Sequence, residues 1–197
     1  DIDRRLFSHR PLPSGKVFES DIRFSLVVVM CLYLAANIWT GPTFWSALIV
    51  LGYSMLMFKH FFMPRLLQEN LLLTLATHNV MVPMVYVYLI VLSSVQNRLT
   101  FWNINWVYAV ALIAMYWAMF FAWEIVRKIR ASEEENEYVT YSQIMGPMGA
   151  VFVGGAAQTV TFIIGLYLYW TLSLTAFFLG ILVAGYLMVL GSYVRFV

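Results

Sequence analysis

The sequence predicts an all-α membrane protein, a polytopic helical bundle with six spans. Three observations carry that expectation. Of 197 residues, 62% are hydrophobic and 11% charged, whereas soluble domains run about half apolar and about a quarter charged. Six long stretches are almost free of charge, at roughly 22–39, 43–59, 70–94, 105–126, 148–170 and 172–194. About 20 apolar residues of helix cross a bilayer. Lipid offers the backbone no hydrogen-bond partners, so spans are helices or closed barrels, and these runs are too long and too evenly apolar for barrel strands. The third observation is the placement of charge. With the N-terminal loop in the cytoplasm, eleven of the twelve Lys and Arg residues fall on that face, and only Arg98 falls on the other. That is the positive-inside bias. All ten acidic residues share the same face. A single domain over 1–197 follows, with cytoplasmic polar loops at about 1–21, 59–69 and 127–147. The expected location is a bacterial inner membrane or its equivalent, in contact with membrane lipid.

Each element has a local reason. Thr40-Gly41-Pro42 reads as a tight external turn between the first two spans. The loop "KHFFMPRLLQEN" (59–70) is basic and amphipathic, with Phe61, Phe62 and Met63 at headgroup level. The third span exceeds a hydrocarbon core of about 30 Å, so tilt or a kink at Pro83 is expected. "QNRLTFWNINW" (96–106) is an external loop whose Trp102 and Trp106 read as interfacial anchors. The fourth span runs into the longest polar stretch, "EIVRKIRASEEENEYVTYSQIMGP" (124–147). In the last two spans Ala150 with Gly154 and Gly155, and Gly180 with Ala184, have the small-residue spacings that let helices approach closely. The missing initial Met and the stop at Arg195-Phe196-Val197 predict a portion of a longer protein.

Several function classes drop out. A net charge of +2 offers no nucleic-acid footprint. The one cysteine, Cys31, reads as a small core residue of the first span. No Ser-His-Asp arrangement, phosphate-cradling glycine loop or Cys/His metal cluster is present, and His9, His60 and His78 have no ligand spacing. Two intramembrane polar clusters remain, His78-Asn79 and Gln158-Thr159 with Thr161. They read as interhelical hydrogen bonds, with a pocket or bound-pigment role for His78 as the alternative.

The chemistry lies in the polar loops. "DIDRRLFSHRPLPSGKV" (1–17) places Asp1 and Asp3 before a basic run and a Pro-Leu-Pro-Ser-Gly segment, expected to be extended and turning. Carboxylates beside arginines at a membrane surface suit a Mg²⁺–diphosphate site; a solvated juxtamembrane loop is the alternative. In the second loop Glu124, Arg127 and Lys128 share one helix face, with Glu124 and Lys128 in the favourable ion-pair order. There the alternative is a capped helix followed by a solvated acidic run.

These loops resemble those of the UbiA superfamily of intramembrane prenyltransferases. The opening segment is similar to the end of that family's first aspartate-rich motif, N-D-x-x-D-x-x-x-D followed by a segment like R-P-[IL]-P-S-G. Asp3 matches the last aspartate and Arg10 the arginine before the proline turn. The resemblance extends over the whole chain, which would supply six spans of a nine-helix fold. It implies a Mg²⁺-dependent enzyme that moves an isoprenoid chain from its diphosphate to an apolar membrane acceptor, a quinone precursor, tetrapyrrole or lipid. On that reading Asp1, Asp3 and Glu124 hold the metal, and Asp3 and Glu124 are the catalytic carboxylates. Arg10, Lys59, Arg65, Arg127 and Lys128 contact the diphosphate. The second loop departs from the family, with Lys128 where an aspartate is expected. Glu124 and the Glu133–Glu137 run could supply oxygens, Arg127 and Lys128 could bind diphosphate without a second metal, or the site no longer works. The competing reading is a non-catalytic subunit of a photosynthetic or respiratory membrane complex, with partner subunits or a bound pigment.

Overall fold

The computed structural model describes residues 5, 7–131, 133, 135 and 137–196. Among them it holds helices and turns and no strand: α1 (Glu19–Asn37), α2 (Pro42–Phe58), α3 (Pro64–Glu69), α4 (Leu71–Asn79), α5 (Met81–Gln96), α6 (Trp106–Val126), α7 (Tyr141–Met145), α8 (Pro147–Thr171) and α9 (Ala176–Phe196). Their boundaries follow from ordinary end chemistry. Gly41, at φ +49°, reverses the chain and Pro42 opens α2, where its missing N–H is no loss. The Asn70 and Asn105 side chains accept from the backbone N–H groups of Leu73 and Tyr108, satisfying donors that a helix start leaves orphaned. Thr140 and Gln143 form a reciprocal capping box on α7. The third apolar run breaks at Val80 into α4 and α5. Pro83 lacks an N–H and its ring crowds the carbonyl of Asn79, so the interruption falls one turn before it.

Among the described residues four helical stretches are long and apolar enough to cross a membrane: Leu71–Gln96, α6, α8 and α9. Helix α2 is apolar but has 17 residues, and α1 carries Glu19, Asp21 and Arg23 in its first turns. No residue of α9 is buried although the helix is almost wholly apolar. An uncovered face of that kind belongs against hydrocarbon, and the chain reads as an integral membrane protein.

Successive apolar helices pack in a row, α1 on α2, α2 on α5, α5 on α6, α6 on α8 and α8 on α9, with α6 and α8 the most closely matched. Gly154 explains that fit: a β-carbon there would meet the Tyr193 hydroxyl at 3.0 Å and Val126 at 3.1 Å. The Gly180–Ala184 pair behaves differently from its expected role. Gly180 has nothing within 4 Å and Ala184 is exposed, so this pair faces outward, and Gly165 against Leu182 makes the close α8–α9 approach instead. Polar cross-links match expectation at Thr159, whose hydroxyl lies 2.9 Å from that of Tyr186, and at Thr161, whose hydroxyl reaches the Met115 carbonyl at 3.4 Å. Cys31 is exposed rather than in the core.

Two connectors have unusual backbones. Residues 10–17 are turned rather than extended: the Pro11 carbonyl accepts from the Lys16 and Val17 N–H groups, and Gly15 closes the turn at φ +74°. His60, Phe61 and Phe62 form a left-handed turn, with φ of 49°, 50° and 59°. Each non-glycine residue in that region costs on the order of 1–2 kcal/mol.

Candidate functional site

Three polar connectors meet at one end of the bundle. Arg5, in the opening loop, donates to Glu137 at 2.8 Å across 132 positions of sequence. Beside this pair lies a cleft of about 320 Å³. His60 and Gln68 enter it from the 59–70 connector, Thr74 and His78 from α4, Lys128 from the end of α6, and Glu137 and Tyr138 from the 127–147 connector. Leu71, which lines the cleft, belongs to a buried apolar cluster with Leu75, Ile125, Tyr141 and Ala150.

The last turn of α6 supplies a compact ion cluster. Glu124 accepts from Arg127 Nε at 2.5 Å and Nη2 at 2.7 Å, and Lys128 Nζ stands 3.5 Å from its Oε1. The Glu124 and Lys128 side chains are only 16% and 11% exposed, whereas Arg127 is 45% exposed. The Glu124 hydrogen bonds hold the Arg127 guanidinium above its usual value. Burial, with the Glu124 charge adding, pushes the phenol of fully buried Tyr141 upward as well. Lys128 is fixed from behind, because its carbonyl accepts from the Tyr141 N–H at 3.2 Å. Its Nζ lies 6.0 Å from the Tyr138 ring centre and 5.7 Å from that of Tyr141, within cation–π range.

The expected site residues separate into groups. Glu124, Arg127 and Lys128 come together, and Lys128 lines the cleft. Arg10, Lys59 and Arg65 do not line it. Arg10 lies over the Phe7 ring at 3.8 Å, Lys59 faces the Phe58 ring, and Arg65 sits in a shallow surface groove beside Met63 and Glu69. Those three side chains are exposed; His60, which follows Lys59 and is also exposed, lines the cleft. Asp1 and Asp3 lie outside the described residues. Of the acidic run, Glu135 is taken up by the hydroxyls of Thr140 and Ser142, a structural role; among the described residues of the run, Glu137 is the carboxylate that reaches the cleft.

Mg²⁺ does not fit the described part of this site. Both Glu124 oxygens are engaged by cationic donors, and no group of three His, Cys, Asp or Glu side chains suits a metal among the described residues. Sequence reasoning missed His60, Gln68 and Tyr138, and it set His60 and His78 apart for want of spacing. The α3–α4 turn brings the two imidazoles to one cleft; the only linear signal was a histidine inside an amphipathic basic loop. Comparison with family models, with curated proteins and with solved structures gave no match.

Proposed function

We propose that the chain is a UbiA-like prenyltransferase, binding an isoprenyl diphosphate where its polar connectors meet and passing the isoprenoid chain to an apolar acceptor in the bilayer. The observation that carries this is the convergence: the opening loop, which bears the family-like R-P-L-P-S-G segment, is tied by Arg5 to Glu137 beside a cleft containing Lys128. In this reading α1 and α2 also cross the membrane, giving six spans of a larger helical fold with the connectors in the cytoplasm. The 17 residues of α2 reach about 26 Å, close to a hydrocarbon core.

The chemistry requires that negative charge on the departing diphosphate be stabilised in a site shielded from bulk water. Lys128 is held for this by Glu124 and the Tyr138 and Tyr141 rings. The Arg5–Glu137 pair is exposed, and such pairs contribute only about 0–1 kcal/mol. An incoming diphosphate can therefore replace Glu137 as the partner of Arg5 at little cost. The metal that the resemblance implies has Asp1 and Asp3 as its remaining ligands, and no step here is routed through it.

The test is turnover by the full chain in lipid vesicles with a labelled isoprenyl diphosphate, Mg²⁺ and a panel of quinone-precursor, tetrapyrrole and lipid acceptors. Transfer to one of them is expected; binding without transfer to any contradicts the reading. The non-catalytic alternative is favoured by one observation, the capture of both Glu124 oxygens by Arg127 and Lys128. It predicts co-purified pigment or partner subunits and no turnover.

A further inference from the structure

His60 and His78 stand between two cavities of opposite character. Both line the polar cleft, and both also line a hollow of about 450 Å³ walled by Met30, Met55, Met57, Leu51 and Phe58. Thioether and aliphatic side chains adapt to apolar ligands of varied shape. The one hydroxyl in the hollow, that of Ser54, is engaged with the Val50 carbonyl at 2.8 Å.

The His78 ring is held in one orientation. Its Nδ1 lies 2.9 Å from the Thr74 carbonyl. A carbonyl oxygen only accepts, so Nδ1 carries the proton and, in the neutral ring, Nε2 keeps its lone pair. Among the described residues no hydrogen bond reaches Nε2. Phe61 packs edge-on against the ring with centroids 6.3 Å apart, and Phe61 is braced in turn by Tyr53 at 5.4 Å. The left-handed turn that costs His60 its ordinary backbone conformation also puts Phe61 in this position.

We propose that the Met-lined hollow receives the acceptor and that His78 Nε2 takes the proton the acceptor loses; this rests on the transfer reading above. The acceptor is an apolar molecule with a weakly acidic O–H or an activated ring C–H. Its oxygen or ring carbon forms a bond to C1 of the isoprenoid. The C1–O bond breaks, diphosphate leaves with the electron pair, and the acceptor's proton passes to Nε2. The charged and titratable groups nearest this imidazole are His60 from the turn, Glu124 from α6 and Lys128 just beyond its end, and Glu137 and Tyr138 from the 127–147 connector line the same cleft.

The experiment uses the full chain in vesicles, a labelled isoprenyl diphosphate and a series of substituted phenols of falling pKa. His78→Gln is expected to lower kcat about 100-fold with weakly acidic phenols, within the usual span of general-base contributions. It leaves KM for the diphosphate unchanged and removes the acid limb of the pH–rate profile. A phenol already ionised at the assay pH restores the rate to within a few-fold of wild type. Met55→Trp, which fills the hollow, raises KM for the phenol and not for the diphosphate. An active wild type with an unaltered His78→Gln profile overturns this inference alone. Equal loss with ionised and neutral phenols does the same, since it marks a structural role. A wild type that transfers to no acceptor overturns the transfer reading and this inference with it.

Discussion

Lys128 stands where the family resemblance called for a carboxylate, and the structure gives it a firm seat. Its partner Glu124 is nearly buried and accepts from Arg127 at 2.5 and 2.7 Å. Glu124→Ala leaves Lys128, only 11% exposed, without its carboxylate, while Arg127 is 45% exposed and stays hydrated. The substitution is therefore expected to destabilise the protein by about 1–2 kcal/mol, read as a lowered unfolding transition in detergent micelles. Glu137 has the opposite relation to its surroundings. It is exposed, places negative charge in the cleft and occupies Arg5. Glu137→Gln should tighten isoprenyl diphosphate binding severalfold, measured by equilibrium retention on reconstituted protein; weaker binding would assign Glu137 to a metal instead. The grouping of Glu124, Arg127 and Lys128 was legible from i, i+3 and i+4 spacing, because helix geometry is local. The contribution of His60 was not, because it depends on a turn whose backbone sign no residue type announces.

At the scale of elements, apolar run length located the helices well, and end chemistry refined them. The third run illustrates the limit. Its length and Pro83 foretold an interruption, while the lost N–H acts on the preceding turn and moved the break to Val80. Small-residue spacing was a poorer guide. Gly154 lies against Tyr193 and Val126, whereas Gly180 faces nothing within 4 Å. The same pattern occurs at both sites, and only the partner helix decides which is used. Gly154→Leu is expected to cost about 1–3 kcal/mol by wedging α8 from α6 and α9, seen as a loss of thermal stability. The same substitution at outward-facing Gly180 should have little effect.

For the whole molecule, charge asymmetry and antiparallel packing give one picture. Among the described residues, Arg5 of the opening loop and the 59–70 and 127–147 connectors gather at one end, and Arg98 lies in the connector between α5 and α6 at the other. With Cys31 replaced by serine, cysteines at Ser14, Gln68 and Glu137 should react with a membrane-impermeant maleimide from one side of a vesicle, and one at Arg98 from the opposite side. Labelling of Ser14 and Gln68 positions from different sides would break the proposed topology. This arrangement was foreseeable from loop charge, since insertion itself reads that charge. The shape of the cleft was not, because it arises from three segments that are distant in sequence.

The most direct measurement is the affinity of the reconstituted full chain for an isoprenyl diphosphate, compared between wild type and Lys128→Ala across a salt series. Saturable binding that weakens roughly 10-fold or more in the variant is predicted, as expected for loss of a hydrogen bond to a charged group, with a shallower salt dependence. Equal affinity in the two proteins, or no saturable binding in either, would contradict the account.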